Sequence, residues 1–138
     1  MFPRIYLGVE WFGLRALNER YSPPKECGAS SIFLGIARSA PEDGNVEMLI
    51  YEAYEEMALE VLSKIRQEAI ERFKLIEAFI HHRIGEVKVG EESFMVAVFG
   101  SHRAECFKAC EHIVNEVKSK APIWKKEVFE DRSESWVS

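Results

Sequence analysis

The chain contains 138 residues, of which 47% are hydrophobic and 30% are charged. This length and balance are typical of one folded domain and exclude an intrinsically disordered chain. Eighteen basic residues against 23 acidic residues give a formal net charge of −5, which argues against nonspecific binding to nucleic acid or to an anionic membrane. We therefore expect a single domain over residues 1–138.

Membrane spans and disulfide frameworks are also excluded by the sequence. The longest stretch without a charged residue covers residues 27–37, far short of the ~20 apolar residues that a membrane span requires. The N-terminal residues lack the pattern of a secretory signal, so we expect a cytoplasmic protein. The three cysteines are an odd number and are expected to be reduced thiols, and Cys106 and Cys110 lack a second ligand pair at metal-binding spacing.

Hydrophobic periodicity predicts the following elements in chain order. They are a short helix over Trp11–Tyr21, strands over Gly28–Ala37 and Val46–Tyr51, a helix over Glu55–Phe73, strands over Leu75–His82 and Ser93–Phe99, a helix over Ser101–Lys120 and a strand over Ile123–Phe129. Pro41 and Asp43-Gly44 predict a turn, and Ser101 is the expected N-cap of the last helix. The order β-β-α-β-β-α-β predicts an α+β domain with two main helices packed on a largely antiparallel sheet.

The last predicted helix carries an apolar stripe of Phe107, Cys110, Val114 and Val117, and Lys118 lies at the edge of that stripe. A lysine in this position loses part of its hydration, which lowers its pKa and suits it to act as an acid, a base or a nucleophile. The alternative is a structural lysine whose stem covers the core while its ammonium stays in water.

Two further cationic groups lie where a predicted strand ends. His102 and Arg103 begin a helix, where free backbone N–H groups and the helix dipole favour a phosphate or a carboxylate. The alternative is a pair of solvated side chains. Arg38 follows a long uncharged strand and faces either a cleft or open solvent.

The last predicted strand contains Lys125 and Lys126 directly after Trp124. This combination suits a flat anionic ligand, or alternatively an edge strand whose lysines prevent pairing with other sheets. His81 and His82 are adjacent in a predicted strand, so their side chains are expected on opposite faces and not in one metal site.

A long segment of the sequence resembles a known family. Residues 82–127, HRIGEVKVGEESFMVAVFGSHRAECFKACEHIVNEVKSKAPIWKKE, closely resemble the large, catalytic subunit of molybdopterin synthase, and the upstream pieces GASSIFLGIAR and LIYEAYEEMA fit the same family. The resemblance covers Gly28 to about Trp136 and leaves residues 1–27 poorly matched. It implies an α/β-hammerhead-like fold and a homodimer at the core of a heterotetramer.

The resemblance also implies a reaction and its partners. Each large subunit binds a small ubiquitin-like sulfur-carrier subunit, whose C-terminal Gly-Gly carries sulfur as a thiocarboxylate. The sulfur is transferred to cyclic pyranopterin monophosphate and forms the dithiolene of molybdopterin, in molybdenum cofactor biosynthesis. The implied reaction requires no cofactor and no metal, and it involves neither nucleic acid nor a membrane.

The resemblance assigns roles residue by residue. Lys118 and Lys125 match the catalytic pair, and the neighbouring subunit is implied to supply His102 and Arg103. The full set of implied substrate-binding residues is Ile36, Ala37, Arg38, His102, Arg103, Lys126 and Glu127, with Phe33 as a pocket residue.

The sequence departs from the family pattern in three segments, including residues 1–27, and the departure in the loop after Arg38 keeps an alternative open. The loop after Arg38 reads SAPEDGNVE, which departs from the family pattern, and the C-terminal arm is short, with Arg132 as a candidate substitute for one of its basic residues. The alternative function is a non-catalytic dimeric docking module for a ubiquitin-like partner. An RNA-binding domain is disfavoured by the acidic balance and by the lack of an RNP-like run.

Overall fold

The computed structural model describes residues 2–40, 42 and 44–137, and within them three helices and eight strands. In chain order the elements are β1 Ile5–Gly8, α1 Gly13–Arg20, β2 Ala29–Ile36, β3 Val46–Ala53, α2 Glu55–Phe73, β4 Glu77–Arg83, β5 Gly85–Lys88, β6 Glu92–Gly100, α3 Arg103–Lys120, β7 Ile123–Phe129 and β8 Glu134–Trp136. None of these helices is long and apolar enough to cross a membrane.

The strands form two four-stranded sheets, with the orders β1-β4-β6-β2 and β5-β3-β7-β8. All neighbouring strands are antiparallel except β1 and β4, which run parallel. The predicted α+β class with two main helices on a largely antiparallel sheet is therefore confirmed. The parallel strand and the division into two sheets were not predicted.

Both faces of the first sheet are covered, so its central strands are apolar on both sides. On one face, α2 and α3 pack over alternating residues of β4 and β6 such as Ile80 and Val96. On the other face, Phe2 and the α1 residue Leu17 pack over Phe79 of β4 and over Met95, Ala97 and Phe99 of β6. Residues Ser93–Gly100 of β6 are buried without interruption, as expected for a central strand that is covered on both faces.

The structure contains every predicted element, with ends that differ by a few residues. Three short strands were missed: β1, β5 and β8. β5 begins at Gly85 and ends two residues before Gly90, and both glycines adopt positive φ, 86° and 93°. The predicted turn at Pro41 and Asp43 falls on residues outside those described.

Two details predicted for α3 are wrong. The helix begins at Arg103 with His102 as its N-cap, instead of Ser101, and no side-chain hydrogen bond caps it. Phe107 is not part of the buried stripe but is 64% exposed. The buried stripe begins instead with Cys106, and since each helical residue turns by about 100°, its neighbour Phe107 faces away from the core.

Candidate functional site

The fold brings Lys118 and Lys125 close together across the short connection between α3 and β7. Lys118 lies in the last turn of α3, the helix ends before Pro122, and β7 then carries Lys125 back along the second sheet. Partial burial of the Lys118 ammonium lowers its pKa, and the positive charge of Lys125 lowers that pKa further. This agrees with the pKa shift predicted for Lys118. Much of the Lys118 side chain remains exposed, so a ligand can reach it.

The lysines of β7 do not share one environment. β7 lies between β3 and β8, so the alternative of an edge strand is wrong. Alternation along the strand directs Lys125 and Lys126 to opposite faces. Lys126 Nζ lies 3.0 Å from Glu134 Oε1 and 5.0 Å from the centre of the Trp136 ring, both in β8. Of the two lysines of β7, Lys125 therefore lies near Lys118, and Lys126 does not.

A buried histidine that sequence reasoning did not assign to the site lies beside the two lysines. His82 is 7% exposed, its Nδ1–H donates a hydrogen bond of 2.7 Å to the Arg83 carbonyl, and burial lowers its pKa to about 4. Lys118 and Lys125 also lower this pKa, which means that their charges act on the same ring. His82 is therefore neutral at pH 7.

The ring of His82 is held by aromatic neighbours from both sheets. It stacks on Phe94 of β6 at 5.1 Å between ring centres and meets the edge of Tyr51 of β3 at 4.9 Å. Tyr51 is also the residue directly opposite Lys125 in the β3–β7 ladder. His81 points to the other face of the first sheet and stacks on Phe2, which confirms the prediction that the two histidines face opposite ways.

A hydrogen-bonded chain connects this cluster to β2. The Tyr51 hydroxyl donates to Ser93 Oγ, which donates to the Gly35 carbonyl, with both distances 3.4 Å. Burial raises the pKa of Tyr51, which keeps its hydroxyl protonated. Phe33 of β2 contacts Phe94 with ring centres 5.8 Å apart. The predicted pocket residue Phe33 therefore belongs to the same aromatic cluster as His82.

The residues at the end of β2 and directly after it differ in their exposure to solvent. Ile36 is 56% exposed, whereas Ala37 is buried and both of its backbone polar groups are hydrogen-bonded, its N–H to Glu91 O and its carbonyl to the Gly90 N–H. Arg38 is exposed, with Nη2 3.6 Å from Glu42 Oε1. Ala37 thus anchors the loop, and its two neighbours in the chain face solvent.

The His102–Arg103 pair lies at the other end of α3. Fifteen residues separate Arg103 from Lys118, which places them roughly 22 Å apart along the helix axis. His102 and Arg103 are exposed, and His102 lines an open pocket of about 630 Å³ together with Arg72, Phe73 and Lys108. One copy of the chain therefore does not bring this pair to the two lysines.

Glu127 and Arg132 complete the predicted residues. Glu127 is half-buried in β7, opposite Leu49, and alternation places it on the same face as Lys125. Arg132 is exposed in the turn after β7, and its Nη1 lies 3.6 Å from Glu47 Oε2.

One group of side chains among the described residues could hold a metal ion. Glu68, His112 and Glu116 place one possible ligand atom each within 4.8 Å of one another. Salt bridges already involve both carboxylates: Glu116 pairs with Lys120 at 2.6 Å and Glu68 with Arg72 at 3.8 Å. The absence of a metal requirement stays a prediction.

Comparison with known proteins gives consistent matches. The family model of the MoaE protein matches residues 9–120. The molybdopterin synthase catalytic subunit of Pyrococcus abyssi is 49% identical over 110 residues, which cover 80% of this chain and 74% of the relative. The subunit of the same name from Aspergillus niger is 42% identical over 121 residues, which cover 88% of this chain but only 66% of the longer fungal protein.

Solved structures share the fold. Molybdopterin synthase from Staphylococcus aureus matches with a TM-score of 0.89 and 28% identity, over 100% of this chain and 99% of the other. A complex of subunits 1 and 2 of the molybdopterin-converting factor from Helicobacter pylori contains a chain with a TM-score of 0.78 and 24% identity, over 98% of this chain and 89% of that one. At that identity, the second match concerns the fold alone.

Proposed function

The chain belongs to the MoaE family of molybdopterin synthase catalytic subunits, and we propose that it transfers sulfur from the thiocarboxylated C-terminus of a small ubiquitin-like subunit to cyclic pyranopterin monophosphate. The observation that carries this proposal is the pair Lys118 and Lys125 beside neutral His82. A flexible C-terminal tail can reach the exposed Lys118 side chain, while the other groups of the cluster are fixed by packing.

The two lysines suit the charges that this reaction develops. Sulfur transfer from a thiocarboxylate passes through negatively charged oxygen and sulfur, which nearby cations stabilise. Lys118, with its lowered pKa, acts as the acid and base, or as a transient covalent partner of the tail. Lys125 stabilises the thiolate or enolate that forms. His82 adds no third positive charge to the pair.

The remaining substrate contacts follow from the positions of the cationic residues. Arg38, His102 and Arg103 hold the phosphate of the pterin. Because about 22 Å of helix separates Arg103 from Lys118 in one chain, we assign His102 and Arg103 to the site of a neighbouring copy. Each site then combines the lysines of one subunit with the anion-binding pair of the other.

Phe33, Ile36, Lys126 and Glu127 complete the proposed pocket. Phe33 packs on Phe94 and offers an aromatic wall for the flat pterin, and the exposed Ile36 borders the entrance. Lys126 contacts substrate only after it leaves Glu134.

The assembly belongs to the same proposal. Two copies of this chain form the central dimer, and each binds one small subunit to give a heterotetramer. The Helicobacter pylori chain of the same fold lies in a complex of two different subunits of the converting factor.

Substitution of Lys118 by alanine tests the proposed function. The purified chain is mixed with a thiocarboxylated small subunit and cyclic pyranopterin monophosphate, and molybdopterin is measured as its oxidised fluorescent derivative. Lys118→Ala should reduce the rate by about 10²- to 10⁴-fold, the usual contribution of an acid–base group. Lys120→Ala is the matched control, because this lysine of the same helix turn is exposed and its ammonium forms an ion pair with Glu116.

Two outcomes would contradict the proposal. Near-normal turnover by Lys118→Ala would remove the role of this lysine. A wild-type chain that binds the small subunit stably but forms no product would favour the docking module instead.

A further inference from the structure

Two of the three cysteines lie against the same backbone carbonyl. The Cys27 thiol donates a hydrogen bond of 3.4 Å to the Ala29 oxygen, and the Cys106 thiol donates one of 3.6 Å to the same oxygen. Cys27 belongs to the segment before β2, and Cys106 lies in the first turn of α3. The fold therefore brings together two thiols that are far apart in the sequence.

The backbones that carry these thiols are held in close contact. The Gly28 N–H donates to the Gly100 carbonyl at 2.9 Å, and a Cβ atom on Gly28 would lie 2.3 Å from the Ser101 carbonyl oxygen. A Cβ atom on Gly100 would lie 2.9 Å from the sulfur of Cys106. Glycine at both positions allows this approach, so the segment before β2 lies in close contact with the start of α3.

The third cysteine has a different environment. Cys110 lies one helical turn beyond Cys106, and its thiol is hydrogen-bonded to the Ser31 side chain and the Phe33 backbone. Burial raises the pKa of Cys106, and the proximity of Cys27 raises it further. Cys27 is only half-buried, so an external reagent reaches this thiol first.

We propose that Cys27 and Cys106 form a reversible disulfide that links the segment before β2 to the first turn of α3. Because both sulfurs lie within 3.6 Å of one oxygen, they are at most about 7 Å apart, and rotation of the two side chains changes this separation. The proposed sulfur transfer uses neither of these residues, so the proposal is independent of the proposed function.

The oxidant is a low-molecular-weight disulfide, such as oxidised glutathione. The Cys27 thiolate attacks one sulfur of the reagent, the S–S bond of the reagent breaks, and one small thiol leaves. The Cys106 thiolate then attacks the Cys27 sulfur, and the second small thiol leaves with a proton. The protein loses two hydrogen atoms, and one small disulfide is reduced to two thiols.

The position of the bond gives it a structural effect on the anion-binding end of α3. Cys106 lies three residues after Arg103, in the same helical turn. A covalent link from this turn to the segment before β2 restrains the helix start that presents His102 and Arg103. Oxidation should therefore raise the melting temperature, because the bond closes a loop between residues far apart in the sequence.

The proposal is tested on the full-length chain by counting thiols. After reduction, denatured protein should react at three cysteines, and after incubation with oxidised glutathione it should react at one. Peptide mass mapping without reductant should identify a link between the peptides containing Cys27 and Cys106. Cys110→Ser is the matched control, and it should retain the link with no remaining thiol.

Three results would overturn the proposal. They are three free thiols after oxidation, glutathione held on Cys27 with Cys106 still free, and a link between Cys106 and Cys110. These readouts use the wild-type chain, so they do not depend on the folding of a cysteine variant.

Discussion

The two ends of α3 differ in how completely one chain builds them. At the C-terminal end, Lys118 meets Lys125 beside His82, whose ring is fixed by neighbours from both sheets. At the N-terminal end, His102 and Arg103 are exposed, and no side chain caps the helix. This difference between the two ends is what the proposed site, shared between two symmetric copies, requires.

The electrostatics of the C-terminal end explain why two lysines can lie there together. Lys118 is in the last turn of α3, where the negative end of the helix dipole favours a cation. His82 carries no charge at neutral pH because it is buried, and so it does not add to the repulsion. The N-terminal end has the opposite dipole and favours an anion from outside the chain.

The largest effect expected at the C-terminal end of α3 is a loss of stability at low pH that is caused by His82. Its pKa is about 4 in the folded chain and about 6.5 in the unfolded chain, so the unfolded state binds more protons between these values. Stability should therefore fall as the pH falls from about 6.5 to 4, by about 3 kcal/mol. Urea unfolding at pH 7 and pH 4 should show this loss in the wild type but not in His82→Gln.

His81 is present in both the wild type and the His82→Gln variant, so the difference between their stability losses excludes its contribution. Its pKa is also lowered by burial, so it contributes in the same direction. Equal losses in the wild type and in His82→Gln would contradict the buried, neutral state of His82.

A smaller effect concerns the open end. Arg103→Ala should lower kcat/KM about 30-fold, because one charged hydrogen bond to a phosphate contributes about 2 kcal/mol. The free energy of unfolding should change by less than about 0.5 kcal/mol, since Arg103 is exposed. Arg15→Ala is a suitable control, because this arginine of α1 is exposed and pairs with Glu19 on the same helix. A large loss of stability would show that Arg103 supports the fold.

The smallest effect concerns Lys126. Glu134→Gln removes the partner of its ammonium and should cost less than about 1 kcal/mol, because the Glu134 side chain is half exposed to water. If Lys126 binds substrate, its release should lower KM and leave kcat unchanged. A higher KM would mean that Glu134 holds Lys126 in its working position.

The long elements could be predicted because each repeats its hydrophobic pattern several times. α2 shows nineteen residues of helical periodicity, and the buried run of β6 reads as a central strand. β1, β5 and β8 contain only three or four residues, too few to show a pattern. The pairing of β1 with β4 joins residues more than 70 positions apart, and local sequence carries no signal for it.

The site was predictable in part for a similar reason. Lys118 and His102 lie at the two ends of α3, a long helix with clear hydrophobic periodicity. Their positions relative to the helix ends could therefore be predicted from the sequence. The role of His82 depends on which of two adjacent histidines faces α3 and on a second sheet that folds beside it. The helix start shifted by two residues from Ser101, because no side chain caps it and local cap preferences did not decide the boundary.

The most direct test of the shared site combines two impaired variants in one dimer. Lys118→Ala and Arg103→Ala subunits with different tags are co-expressed, mixed dimers are purified, and molybdopterin formation is measured with the thiocarboxylated small subunit. Each mixed dimer has one site with both substitutions and one intact site, so we expect about half of the wild-type rate per dimer. A rate no higher than that of the variants alone would contradict a site built from two copies of this chain.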